Sequence, residues 1–395
     1  MMRTHTCGEL RPTSIGQRVA LCGWVDTVRD HGGLIFIDLR DRHGLTQVTF
    51  DPRDSRDAWD VAQSTRSEYV VRAEGVVRAR PPEMVNSKLV TGGIEIQADR
   101  IEVLNKAKPP PFPLEDAKAD KVSEDLRLTY RYLDLRRPKM QHNLVLRHRI
   151  TQAIRNHLDR QGFIEVETPI LTKSTPEGAR DYLVPSRVTP GCFFALPQSP
   201  QQYKQLCMVA GLDRYFQIAR CFRDEDLRAD RQPEFTQVDL EMSFLTPEDI
   251  YALVDGLLAD VVEAAGRPRP ALPLPRMPYD EAFNRYGSDK PDTRFGMLLT
   301  DLSDVFKGTQ FKVFANVLGQ GGVVKAINAR GLAAVSQGVI DDWTTLAKEA
   351  GLGGLAFIRV QDDATWKSPI VKFFSEAEKA GLQDRLDIRK GDLVL

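Results

Sequence analysis

The sequence has no run of about 18 apolar residues, so it offers no candidate membrane-spanning helix. Its start, Met1-Met2-Arg3-Thr4-His5, has neither a signal-peptide apolar region nor an Arg/Ser-rich amphipathic leader. Cysteine is scarce: Cys7, Cys22, Cys192, Cys207 and Cys221 are the only five in 395 residues, and no two form a CxxC pair. That argues against a disulfide or zinc framework and reads as reduced cytosolic thiols. His142, His148 and His157 lack metal-ligand spacing and read as helix-surface residues. An excess of either charge is also missing. The net charge is −1, so bulk charge carries no nucleic-acid signal. The first 106 residues hold 15 cations against 15 anions, but 13 of those cations are Arg, a bias suited to specific polar readout. What remains is ordinary globular composition, 42% apolar and 28% charged, at a length that predicts two or three domains.

The most informative stretch runs from Leu212 to Phe244 and reads as strand, charged loop, strand. Its first arm, Arg214 to Cys221, is rich in β-formers. In its second arm Thr236, Val238, Leu240, Met242 and Phe244 alternate with Gln237, Asp239, Glu241 and Ser243. A period of two predicts a strand with one buried face. Two carboxylates and an amide on the other face call for a polar ligand. Seven of the nine residues from Arg223 to Arg231 are charged, with interleaved signs. Such a run is commonly a solvated hairpin tip. Here Phe222 and Phe235 bracket it, which predicts ends anchored in a core, and Arg223 stands at the junction, suited to bidentate recognition of carboxylate or phosphate.

Phe222-Arg223-Asp224-Glu225 resembles the second signature motif of class II aminoacyl-tRNA synthetases, and the string through Glu241 is similar to the bacterial-type aspartyl-tRNA synthetase family. The resemblance extends from Arg3 to the end of the chain. It implies a multidomain α+β protein: an N-terminal OB-fold β-barrel, an antiparallel-sheet catalytic domain and a C-terminal α/β insertion domain.

Residues 1–106 read as all-β without that help. Arg18–Arg29, Leu34–Arg40, Leu45–Phe50, Tyr69–Arg80 and Ile94–Asn105 are β-rich, and Asp54–Ser64 is a helix candidate after the third. Asp30-His31-Gly32-Gly33 and Asp41-Arg42-His43-Gly44 are turn chemistry. Five strands with a helix after the third fit a small OB-type barrel, a platform for single-stranded nucleic acid among other ligands. Phe36 is the stacking candidate, although on the residues alone a core aromatic is the more natural reading. The resemblance implies that this barrel reads the anticodon loop through Arg29, Phe36, Gln47, Arg66, Arg80 and Glu95, by stacking and by hydrogen bonds to splayed bases. It further implies that His31, in the first turn, marks a type that charges tRNA(Asn) as well as tRNA(Asp).

Residues 107–138 read as a linker or hinge. Pro109-Pro110-Pro111-Phe112-Pro113 is stiff. Tyr130 to Arg137 is a family hallmark at the opening of the catalytic domain, taken as 139–294. Lys139–Gln161 is a helix with an apolar stripe at Leu146, Ile150, Ala153, Ile154 and Leu158, ended by Gly162 and followed by a strand at Phe163–Glu167. On its own this is an ordinary helix–strand unit. The resemblance makes it the first signature motif, with Pro169 near the two-fold axis of a homodimer.

Thr172 to Tyr182 has loop composition, and Phe193–Pro197 reads as a strand. A helix begins at Gln201, with Gln201 and Lys204 on one face. Aspartate carries one ammonium and two carboxylates, so its site needs acceptors at one end and fixed cations at the other. The resemblance implies an aspartate site of Glu177, Ser199, Gln201, Lys204, Arg223 and Asp239. It implies an ATP site of Arg223, Asp224, Glu225 and Gln232. The partners implied are L-aspartate, ATP with Mg2+, tRNA and a second copy of the chain, in the cytoplasm.

Ala252–Gly266 reads as a further helix, and from about Phe295 short αβ units predict an insertion domain over 295–395. Gly351 to Ala356 matches GxGxxA, but it follows a helix and opens a strand, the wrong context for dinucleotide binding. No GxGxDR-like string occurs, so the third signature motif, with the Mg2+ carboxylate of the family, is expected beyond Leu395. The chain then reads as an N-terminal part of an aspartate–tRNA ligase, inactive on its own. The competing readings are a non-catalytic tRNA-binding fragment and a synthetase for asparagine or lysine.

Overall fold

The computed structural model describes residues 2–175, 178–226, 228, 230–294 and 296–395. By packing, the chain divides into Met1–Pro273 and Leu274–Leu395. The segment 274–294 thus packs with the residues after it, where the sequence reading had put the division at Phe295.

The first unit opens with a closed five-stranded barrel: β1 (Arg18–His31), β2 (Leu34–Asp41), β3 (Gly44–Phe50), β4 (Val70–Ala79) and β5 (Ile94–Asn105), with α1 (Arg56–Ser64) after the third strand. The order round the barrel is β1-β2-β3-β5-β4, and only the β3–β5 pair is parallel. β1 is long enough, at 14 residues, to pair with β4 through its first half and β2 through its second, which closes the cylinder. The β1–β2 turn needs two left-handed residues, and Gly32 (φ 62°) and Gly33 (φ 83°) supply them. Inward residues alternate with outward ones: Ile35, Ile37 and Leu39 are at most 1% exposed, and the core also takes Val19, Leu21, Val48, Phe50 and Ile96. A side chain at Gly75 would lie 2.1 Å from the Gln97 carbonyl, so the β4–β5 crossing demands glycine. Ser55 caps α1 by accepting from the Ala58 amide at 3.2 Å.

Three short helices follow, α2 (Asp116–Ala119), α3 (Glu124–Thr129) and α4 (Arg131–Asp134), and then the long α5 (Pro138–Arg160). Beyond it come β6 (Ile164–Glu165), a hairpin of β7 (Leu183–Pro185) and β8 (Phe193–Ala195), α6 (Gln201–Val209), β9 (Arg214–Phe222), β10 (Glu234–Met242) and α7 (Pro247–Ala264). The sheet order is β10-β9-β6. β9 and β10 are antiparallel, but β6 joins parallel, so this sheet is mixed where an antiparallel one was expected. Ile154 and Leu158 of α5, Leu253 and Leu257 of α7, and Phe216, with Leu240 and Met242 beside them, make the core on one side of it. His157 is buried there, not on the helix surface as read from sequence. Its Nδ1 lies 2.8 Å from Asp260 Oδ2, and a carboxylate can only accept, so the imidazole donates. Helix α7 begins five residues before the predicted Ala252, because Thr246 and Asp249 form a capping box and Pro247 occupies the first position.

The second unit holds α8 (Tyr279–Tyr286), the two-stranded β11 (Thr300–Asp301) and β12 (Lys325–Ala326), and α9 (Lys312–Gly319). A four-stranded sheet orders β13 (Asn328–Ala329), β16 (Leu393–Val394), β14 (Ile358–Val360) and β15 (Trp366–Lys367), with α10 (Gln337–Glu349) and α11 (Glu376–Leu386). Phe306, Ile358, Phe374 and Leu382 centre its core. Gly351 to Ala356 joins α10 to β14, the arrangement that excludes a dinucleotide turn. Among the described residues no helix is long and apolar enough to cross a membrane.

Candidate functional site: the polar face of β9 and β10

The register pairs Asp239 with Gln217, Glu241 with Tyr215, Gln237 with Ala219 and Phe235 with Cys221. Strand alternation therefore puts Tyr215, Gln217, Cys221, Phe235, Gln237, Asp239 and Glu241 on one face. The predicted alternation of side-chain direction holds, but the face expected to be buried is covered only in part. Phe244 lies beyond β10 at φ 58° and is 99% exposed. Val238 is also exposed, since the α5–α7 core reaches Leu240 and Met242 but not this residue. The polar face is not open to water either. Helix α6 packs on both strands, and Asp239 is 7% exposed.

Lys204 of α6 explains why a carboxylate is tolerated there. Its Nζ donates to Asp239 Oδ1 at 3.0 Å and lies 3.5 Å from Glu241 Oε2. Asp239 Oδ2 is buried and accepts no hydrogen bond from the protein, an acceptor held ready. Tyr215 donates to Gln217 Oε1 at 2.9 Å, and Thr168 donates to the same oxygen at 2.9 Å. Burial, and next the charge of Asp239, push the Tyr215 phenol far above its ordinary range, so it stays a donor.

At the other end of the face Arg223 lies over the ring of Phe235, 5.1 Å from its centroid. Its guanidinium makes no ion pair among the described residues. Phe222 and Phe235 are both only partly buried, so the loop ends are not sunk in a core as predicted; Phe235 serves as the platform under Arg223. A cleft of about 830 Å3 opens here, lined among others by Arg147, Arg223, Glu225, Arg231 and Gln232. Among the charges around it, Arg220 pairs with Glu234 at 2.6 Å and Arg231 with Glu225 at 3.4 Å. Asp224 faces Arg180 at 3.7 Å. Four residues of strand, ~13 Å, separate Phe235 from Asp239. Arg223, Glu225 and Gln232 therefore share the cleft, whereas Gln201, Lys204 and Asp239 are not among its lining residues.

Ser199 lines a separate small pocket of about 20 Å3 with Thr172, Asp181 and Tyr203, and Gln201 is the first residue of α6. Glu177 lies outside the described residues. The loop that carries it is held on its C-terminal side by Gln198, a residue the sequence reading passed over. The Gln198 amide donates to Ala179 O at 2.8 Å and Asp181 at 2.5 Å and accepts from Ala179 N at 3.1 Å. Gln217 was also missed, although the same alternation in β9 that identified Asp239 in β10 would have found it.

On the barrel, Phe36 is not a core residue. It alternates outward between Ile35 and Ile37, pairs with Arg29 and Thr49, and is half-buried on the outer wall. The same wall carries a continuous polar network. Arg29 donates to Asp38 at 3.0 Å and Gln47 at 3.1 Å, Gln47 donates to Glu95 at 2.6 Å, and Arg78 pairs with Glu95 at 2.7 Å. Arg80 donates to Ile94 O, and burial pushes its pKa below the ordinary value, opposed by the charge of Glu95. Arg66 is exposed and donates to Gln63 O and Thr65 O behind α1, apart from this network; His31 is exposed at the β1–β2 turn. Pro169 is exposed, as are Ile164, Ile170 and Leu171 near it in sequence.

Residues 123–377 match the family model described as tRNA synthetases class II (D, K and N), and residues 19–104 match that of the OB-fold nucleic acid binding domain. The chain belongs to the class II tRNA synthetases of the D, K and N group. It is 57% identical over 394 residues to the aspartate–tRNA(Asp/Asn) ligase of Bacillus subtilis strain 168 and 56% identical to that of Opitutus terrae. Each alignment takes in 100% of this chain, and the chain spans 66% of the length of each relative. Among solved structures, the asparaginyl-tRNA synthetase from Pyrococcus horikoshii complexed with asparaginyl-adenylate is similar at a TM-score of 0.59 and 26% identity, over 67% of this chain and 58% of that one. Among the described residues no group of three or more His, Cys, Asp or Glu side chains could hold a metal ion.

Proposed function

We propose that this polar face binds aspartate and ATP for the synthesis of aspartyl-adenylate, from which the aspartyl group passes to tRNA(Asp) and tRNA(Asn). The observation that carries the reading is a pair of groups on one face that have no such partner among the described residues: a guanidinium without an ion pair at one end and a buried carboxylate oxygen without a donor at the other. Asp239 takes the substrate ammonium, and Glu177 and Gln201 are its proposed companions. Lys204 meets the side-chain carboxylate, exchanging part of its bond to Asp239 for the ligand. Arg223 bridges the α-carboxylate and the α-phosphate, with Asp224, Glu225 and Gln232 against the nucleotide.

A carboxylate is already a nucleophile at neutral pH, so the first step needs no general base. It needs positioning and neutralisation of crowded negative charge, which a guanidinium fixed on an aromatic ring provides. ATP supplies the activated phosphorus and leaves pyrophosphate.

The barrel wall from Arg29 through Gln47 to Glu95, with the half-buried Phe36 facing outward for stacking, is the proposed anticodon reader, and Arg66 joins it only if its side chain leaves its helix carbonyls. His31 at the turn tip and the names of the relatives support charging of both tRNAs. The exposed apolar residues around Pro169 support a homodimer there. The cytoplasm is the proposed compartment, and five cysteines with no disulfide among them fit a reducing one. ATP–pyrophosphate exchange with aspartate, asparagine and lysine is the test, run on this chain and on the same chain continued with the rest of the Bacillus subtilis relative. Exchange with aspartate alone is expected in the continued chain; exchange with another amino acid instead would overturn the reading. RNA binding without exchange in both would favour a binding module.

A further inference from the structure

Glu68 is a residue for which neither the barrel core nor the proposed sites have a use. It is 5% exposed, yet its backbone is left-handed at φ 66°, a strained conformation for a side chain without local hydrogen-bonding reach. Its amide donates to Val25 O at 2.7 Å, which locks the strained residue against β1. One carboxylate oxygen accepts from Arg40 of β2, whose Nε also reaches Asp26 at 3.0 Å. The other accepts from Arg136 at 2.7 Å, and Arg136 lies over the Trp24 ring, 5.0 Å from its centroid. Arg136 belongs to the linker. The next residue, Arg137, is 1% exposed and donates to Asp134 and Asp116 at 3.0 Å each and to Asp120. It is also the N-terminal cap residue of α5, the helix that packs under the β9–β10 sheet. A buried carboxylate on the barrel thus grips the residue adjoining the one that starts the catalytic helix.

We propose that Glu68 is a positioning residue: through Arg136 it ties the barrel to the start of α5, so that RNA held on the barrel is presented to the catalytic half at a set angle. The inference rests on the tRNA reading above. The geometry makes one demand. Losing the tie costs nothing to an RNA that touches only the barrel, and costs affinity for an RNA that reaches both regions.

The test compares Glu68→Gln with Arg136→Gln, which spares the barrel's own Arg40–Glu68 pair should the first variant fold poorly. Each is titrated with a tRNA(Asp) transcript and with its isolated anticodon stem–loop. Full tRNA is expected to bind about tenfold more weakly, the loss of one charge-assisted hydrogen bond, with stem–loop affinity unchanged within about twofold. The double variant should lose no more than either single one. Equal loss for both RNAs, or no loss for either, would overturn the assignment. If the unaltered protein binds neither RNA, the tRNA reading itself falls. The tie is then judged by trypsin cleavage within 107–138: faster cutting in Arg136→Gln sustains it, and an unchanged rate removes it.

Discussion

The outer wall of the barrel and the polar face of the β9–β10 sheet are both rich in charge, but they treat it differently. On the barrel nearly every group is already matched: Arg29 with Asp38, Arg78 with Glu95, Gln47 between Arg29 and Glu95. On the sheet, among the described residues, Arg223 has a ring beneath it and no counter-ion, and Asp239 keeps one buried oxygen without a donor. A wall whose bonds are internally satisfied must exchange them for those of a ligand. It gains little net energy and discriminates by which ligand can replace them. A face with uncompensated groups gains from any ligand that supplies them. The difference fits the proposed division, with readout on the barrel and binding and activation on the sheet.

The sharpest way to break that contrast is at Arg223. In the chain continued through the third motif, Arg223→Ala is expected to lower pyrophosphate exchange by about 10²–10³-fold, as loss of a transition-state charge stabiliser does. Near-normal exchange would mean the cleft is not where charge develops. Lys204→Met comes next. It leaves Asp239 buried without its cation, and chemical denaturation should show about 3 kcal/mol lost, with aspartate binding. An unchanged midpoint would mean water already reaches that carboxylate.

On the barrel the expected effects are smaller and divide by side of the wall. Phe36→Ala should weaken tRNA binding about tenfold, the worth of one stacked base, and leave thermal stability alone. Ile37→Ala, one residue on but inward, should cost about 2–4 kcal/mol of stability. A stability loss at Phe36 instead would return that ring to the core. Smallest is the pH effect at Asp260. Hydrogen bonds from His157, and next from Arg269, hold this carboxyl below its ordinary pKa. A depressed folded pKa contributes stability that is complete above the ordinary carboxylate value of ~3.9 and lost as pH falls through the folded one. Urea unfolding from pH 5 down to pH 2.5 should therefore slope less steeply in Asp260→Asn; an identical slope would mean that this carboxyl carries none of it.

The barrel was legible in the sequence almost strand for strand, because period-two alternation and glycine turns are local signals and inward residues must be apolar wherever the cylinder closes. The strand nature of β10 and the polar character of its Asp239 face were legible for the same reason. Phe36 was not, since an aromatic in a strand fits either side and only the register against Ile35 and Ile37 settles which. His157 looked like a surface residue because its partner, Asp260, is 103 positions away.

By itself the sequence determined which segments are strands and helices, the family to which they belong, and the residue types that a dicarboxylate and a nucleotide require. Only the tertiary structure decided which charges find partners. Lys204 meets Asp239 because α6 lies across β10, Arg223 comes to lie over the Phe235 ring because β9 and β10 pair in this register, and Glu68 reaches Arg136 because the linker folds back on the barrel. Alternation and turn propensity act over a few residues, whereas the pairing of a buried charge depends on what distant chain segment arrives beside it.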